Sequence, residues 1–185
     1  MAYTTIDNPE LYFQCKTYTG NGSSGHAITF DGEENMQPDF VWIKNRTQYG
    51  HQLYDVVRGV TKRIFSDTSG AEETDTDALT AFGSNGFTIG SNAGVNQNST
   101  AHVSWNWKAG GSGSANNDGS INTTSTSANS TSGISISKFT STGSAATIGH
   151  GMSAIPKMIW VKRTDSTGSW QVYHASLGAT KYLEL

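Results

Sequence analysis

The chain has 185 residues, of which only 15% are charged, with a formal net charge of −3 and a single cysteine. Weak negative charge without a basic stripe argues against nucleic-acid binding. One cysteine excludes an internal disulfide framework or a multi-cysteine zinc site, and apolar runs of four or five residues are far too short for a helical membrane span.

The N-terminus, Met1-Ala2-Tyr3-Thr4-Thr5-Ile6-Asp7, has no basic region and no apolar stretch. It does not read as a signal peptide, so synthesis in a cytoplasm is expected. Residues 1–10 read as an arm closed by Pro9, with Met1, Tyr3, Ile6 and Pro9 available for docking to a larger particle. Residues 11–18 read as a strand holding Cys15 as a small apolar residue. Gly20-Asn21-Gly22-Ser23-Ser24-Gly25 spells G-x-G-x-x-G. No helix follows to give that loop an anion-binding N-terminus, so a hairpin loop is expected.

Phe40 to Lys44 is an aromatic and β-branched run and reads as a core strand. Leu53 to Val57 and Lys62 to Phe65 read as further strands. Glu72, Glu73, Asp75 and Asp77 cluster, but they lack the later Gly and Glu of a calcium loop, and a solvated loop is expected. Thr74 to Phe82 fits one helical turn or another strand. Ser84-Asn85-Gly86 signals a hairpin leading into Phe87-Thr88-Ile89. Val103 to Lys108 alternates with period two, placing Val103, Trp105 and Trp107 on one face and Ser104, Asn106 and Lys108 on the other. Residues 110–132 are rich in Gly, Ser, Asn and Thr. They read as a flexible linker, or with Ser120 to Thr124 as an extended crossing strand. Ile134, Ile136 and Lys138 begin a new strand, and a turn with a satisfied imidazole is expected at His150.

The sequence states one pattern twice. Pro38-Asp39-Phe40-Val41-Trp42-Ile43-Lys44 returns as Pro156-Lys157-Met158-Ile159-Trp160-Val161-Lys162, and Tyr54 to Lys62 returns as Tyr173 to Lys181. Upstream, Tyr18-Thr19 and Gly22 are answered by Phe139-Thr140 and Gly143. Such a period implies two copies of one folded unit, the second stopping about halfway. The fold expected is all-β, a β-sandwich or jelly-roll-like unit. The organisation expected is a docking arm (1–10), a complete repeat (11–109), a linker (110–132) and the first half of a second repeat (133–185). The unfinished copy implies either about 50–60 further residues or a partner subunit that supplies the remaining strands.

No His-Glu-x-x-His, Gly-x-Ser-x-Gly or phosphate-cradling loop occurs, so no catalytic, metal or cofactor residue is assigned and a non-enzymatic protein is expected. Trp42 and Trp160 hold equivalent repeat positions and are expected in the core. Trp105 and Trp107 face either the sandwich interior or a subunit contact. Trp170 lies in a Ser/Gly-rich stretch and is the candidate for an exposed, ligand-stacking ring.

The blocks Tyr18 to Gly22, Pro38 to Lys44, Leu53 to Gly59, Phe82 to Phe87 and Trp105 to Gly110, in that order, resemble a domain of unknown function. That domain occurs in tandem in virion proteins of marine tailed phages of cyanobacteria and pelagic bacteria. Residues 133–182 resemble the opening half of the next copy. The resemblance implies a structural virion component made in the host bacterial cytoplasm: a tail fibre or tail appendage, or alternatively a head-surface fibre or decoration protein. It implies a homo-oligomer, a trimer being one arrangement, in contact with other virion proteins. A host-attachment role through surface polysaccharide, as in a lectin-like module, is the related alternative. It assigns no catalytic residue and no cofactor.

Overall fold

A computed structural model describes residues 6–185; Met1 and Tyr3 of the expected docking arm lie outside the described residues. A 3-10 turn, Pro9–Leu11, leads into β1 (Phe13–Thr19), β2 (His26–Thr29), β3 (Phe40–Asn45), β4 (His51–Asp55) and β5 (Lys62–Phe65). Then come β6 (Glu73–Thr74), β7 (Leu79–Gly83), β8 (Gly86–Ile89), a single helical turn α1 (Ala93–Asn96) and β9 (Ala101–Trp107). The remainder carries β10 (Ser125–Asn129), β11 (Ile134–Lys138), β12 (Met158–Val161), β13 (Gln171–His174) and β14 (Leu183–Glu184). The fold is all-β, as expected, with antiparallel sheets.

The first copy is a two-layer sandwich. A six-stranded sheet, in the order β1-β9-β3-β4-β5-β6, lies over a three-stranded sheet, β2-β8-β7. The period-2 pattern of β3 decides what goes inside. Val41 and Ile43 are fully buried and pack with Tyr54, Ile28, Leu79, Phe87, Ile89 and Val95. Each aliphatic side chain buried this completely contributes about 1.5–3 kcal/mol relative to an exposed one. The β7–β8 hairpin turns through Ser84-Asn85, with Gly83 opposite Gly86. Gly86 has φ +116°, and a Cβ there would lie 2.0 Å from the Ile28 carbonyl oxygen. Gly86→Ala is therefore expected to destabilise the protein by about 2 kcal/mol or more, read as a lower urea midpoint.

Two departures from the sequence expectations have physical causes, and a third point concerns the face of β9 that the sequence left open. The Gly20–Gly25 segment is not a hairpin loop, because it carries the chain from β1 in the large sheet to β2 in the small one. Buried Asn96 holds it there. Its amide donates to Asn21 Oδ1 and the carbonyls of Ser23 and Gly90, and its Oδ1 accepts from Asn21 N–H. Residues 110–132 are not a plain linker and contain β10. That strand bonds β11 in register, Ser127 opposite Ile136, and a Thr123–Thr126–Ser137 hydroxyl ladder supports it. Ser120 to Thr124, the expected crossing strand, lies just before it. The polar face of β9 points inward: His102, Ser104 and Asn106 are buried, while Trp105 and Trp107 are half-buried on the outside of the large sheet.

The sequence echo reappears as register. Trp42 sits opposite Leu53 and Phe40 opposite Asp55; Trp160 sits opposite Val172 and Met158 opposite His174. The third strand matches too, with Leu53 opposite Ile64 and Val172 opposite Leu183. The repeated lysine does one job in both copies. Lys44 Nζ donates to the carbonyls of Gln48 and Tyr49, and Lys162 Nζ to those of Arg163 and Gly168, closing each hairpin loop. Gly59 (φ +94°) and Gly178 (φ +82°) make the same left-handed turn after their strands.

Candidate functional site

Two aromatic surfaces are built from the outward positions of the sandwich. The first is a seam between the copies. Trp42 meets Trp160 edge-on, with ring centroids 5.7 Å apart, and each tryptophan meets a ring of its own hairpin in the same manner. Trp42 packs on His51 at 5.6 Å and Trp160 on Trp170 at 6.0 Å, positions that correspond in the repeat. Leu53 and Ile64 complete the cluster from the first copy. Edge-to-face contacts of this kind add about 0.5–1.5 kcal/mol each beyond burial.

Trp170 is thus not the exposed ring that its Ser/Gly-rich surroundings imply. It is 5% exposed, and its indole N–H donates to the Phe65 carbonyl at 2.7 Å. The loop around it is polar because it lies over the first copy, bonding Ser69 through Gly168 N–H and Glu72 through the Thr164 carbonyl. Trp42 and Trp160 are half-buried seam residues rather than sandwich core.

The second surface is an aromatic stripe on the outer face of the large sheet. Trp107 lies between Phe13, at 4.9 Å, and Phe40, at 5.4 Å, and Trp105 lies 5.9 Å from Trp42. Phe13 and Cys15 are exposed beside them. Of the two sites expected for the β9 tryptophans, the structure places them outside the sandwich.

The rest of the sequence-derived candidates have structural partners. At the arm, Asn8 caps the 3-10 turn, Pro9 is exposed and Ile6 half-buried; Glu10 accepts a hydrogen bond from Glu33 N–H. Three of the four acidic-cluster residues are paired, Glu72 with Arg58, and Glu73 and Asp75 with Arg63, while Asp77 is exposed. His150 Nδ1 accepts from Met152 N–H.

Sequence reasoning missed two features. Asp39 is fully buried, and its carboxylate accepts from the N–H groups of Ala109 and Gly111 while pairing with Lys108. It ties the end of β9 to the start of β3. The second feature is an open groove of about 430 Å³ lined by Ser112, Ser114, Asn116, Thr126 and neighbouring small residues. Nothing local in a Ser/Gly tract signals a groove, because neighbours from β10 form its other wall.

His102 adds a pH response. Its ring stacks on Tyr18 at 5.1 Å, Nδ1 lies 2.9 Å from the Thr100 carbonyl, and the side chain is fully buried. Burial holds the imidazole pKa below its ordinary value. The folded state takes up a proton less readily than the unfolded chain, which does so below about pH 6.5. Stability is fully present above that pH and is lost as pH falls from it, by at most about 1.4 kcal/mol per pH unit for this ring. Urea midpoints are expected to be flat from pH 8 to 7 and to drop below about 6.5, with a shallower drop in His102→Phe.

These features define an all-β module in which a two-sheet sandwich carries the β12-β13-β14 sheet against the outer face of its large sheet. Comparison with known proteins places the chain plainly: it belongs to the family described as Domain of unknown function (DUF7483), whose model it matches over residues 8–185. The match takes in both copies. No curated protein matches the chain, and no solved structure matches it.

Proposed function

We propose that the chain is a non-catalytic structural component of a virion, a phage tail fibre or tail appendage acting in host attachment. It is made in the host bacterial cytoplasm and carried on the particle surface. The observation that carries this reading is the arrangement of the second copy. It docks on the first through tryptophans while leaving Ile159 and Val161 exposed where the first copy buries Val41 and Ile43. A module with apolar faces left uncovered is suited to assembly with neighbours. Homo-oligomers and contacts with other virion proteins follow as its partners. Mass spectrometry of purified particles tests it: peptides of this chain at a fixed ratio to the other particle proteins are expected, and their absence overturns it. A particle reconstruction then separates a tail fibre from a head-surface fibre or decoration protein.

The outer stripe of Phe13, Trp105 and Trp107 favours a second reading, a lectin-like module for host polysaccharide, since partly exposed aromatic rings offer stacking faces. The open groove at Ser112, Ser114, Asn116 and Thr126 is lined by amides, hydroxyls and small apolar groups, suited to binding rather than acid–base chemistry. Binding to host-derived glycans that falls at least about tenfold in Trp107→Ala is the expected result, given that one stacked aromatic contributes on the order of 1 kcal/mol or more. Equal binding by the two proteins ends this reading.

A further inference from the structure

We propose that the free edge of β12 is an acceptor for one further β-strand with the chemistry of β9, supplied from outside residues 1–185. The first copy shows what covers this edge. There β3 is flanked on one side by β4 and on the other by β9, with Trp42 opposite Trp105 and Phe40 opposite Trp107. In the second copy β12 is flanked by β13, and among the described residues nothing pairs with its other side.

Backbone direction agrees between the copies. Val56 N–H bonds the Asp39 carbonyl, and Ala175 N–H bonds the corresponding Lys157 carbonyl. Alternation along the strand then turns the backbone groups of Ile159 toward β13 and those of Met158 and Trp160 toward the open edge. Those groups correspond to the ones that Phe40 and Trp42 turn to β9. Side chains are equally unfinished: Met158 is 52% exposed, and Ile159 and Val161 are 44% and 43% exposed against 0% for Val41 and Ile43. An open edge flanked by exposed apolar side chains is a template for strand addition.

The register of the first copy fixes the occupant. It is an antiparallel strand alternating small polar and aromatic residues, with one tryptophan opposite Trp160 and a second opposite Met158. Polar residues between them continue the inner face, as Ser104 and Asn106 do in β9.

The test adds a peptide of residues 99–109 of this sequence to the full chain and follows amide hydrogen exchange residue by residue. At about ten times its Kd the peptide is expected to slow exchange of Met158 and Trp160 by about tenfold. The peptide carrying Trp105→Ser and Trp107→Ser is expected to bind at least about tenfold more weakly, losing two aromatic cross-strand contacts. Unchanged exchange at Met158 and Trp160 overturns the proposal. So does protection that appears at Phe40 and Trp42, which would mean exchange with the resident β9, or protection that depends on chain concentration alone, which would mean two β12 edges pairing. The proposal deepens the assembly reading above, and the two fail separately: absence from virions leaves the peptide result standing.

Discussion

Replacing Arg58 with alanine is expected to destabilise the first sandwich by about 3–5 kcal/mol, because it leaves a buried charge without its partner. The Arg58 and Asp55 side chains are each 6% exposed. The guanidinium serves four acceptors: Asp55, the carbonyls of Lys62 and Leu53 at 3.1 and 2.9 Å, and Glu72 at 3.3 Å. Asp55 in turn accepts from the N–H groups of Val57 and Arg58, shaping the turn after β4. For a chain of this size the loss lowers Tm by about 10–15 °C. Arg58→Lys is expected to recover little, since one ammonium cannot reach acceptors lying in several directions. Thermal and urea unfolding check both variants. The second copy has Leu177 and His174 at the matching positions, so this lock belongs to the first copy.

Trp170→Ala is expected to weaken docking of the second copy by about 3–5 kcal/mol, the usual cost of deleting a large buried ring. It also strips the Phe65 carbonyl of its donor. The distinctive result is spatial. Exchange protection should fall across β12, β13 and β14 while the amides of β3 and β4 stay slow, because the first sandwich has its own core. A uniform loss over the whole chain would show instead that the two copies unfold as one unit.

Much of the strand layout was legible in the sequence. β5 and the starts of β3 and β11 fall where the apolar patterns put them, and the Asn85-Gly86 signal marks the β7–β8 turn. Alternation in β9 located the strand but not its buried side. Period two yields two faces and does not say which is the inner one, because small polar side chains can also be buried when they are hydrogen-bonded. The Asn106 side-chain N–H groups donate to the Gln14 carbonyl and Ser104 Oγ. β10 was missed because Ser125-Thr126-Ser127-Ala128-Asn129 has no apolar alternation; backbone pairing with the neighbouring β11 and hydroxyl bonds define it. Trp170 was misplaced for a different reason. Its local context is polar, and the surface that buries it lies about a hundred residues earlier, at Phe65.

The repeated ring at the seam is not the same ring. Trp42 donates its indole N–H to His51 Nδ1 at 2.8 Å, whereas Trp170, in the place of His51, is itself a donor, to Phe65. An indole cannot accept that bond. The two halves of the seam are therefore not interchangeable, and the contact has a head and a tail. Units stacked through such a joint would all point one way along an axis, giving a filament with polarity rather than a closed pair.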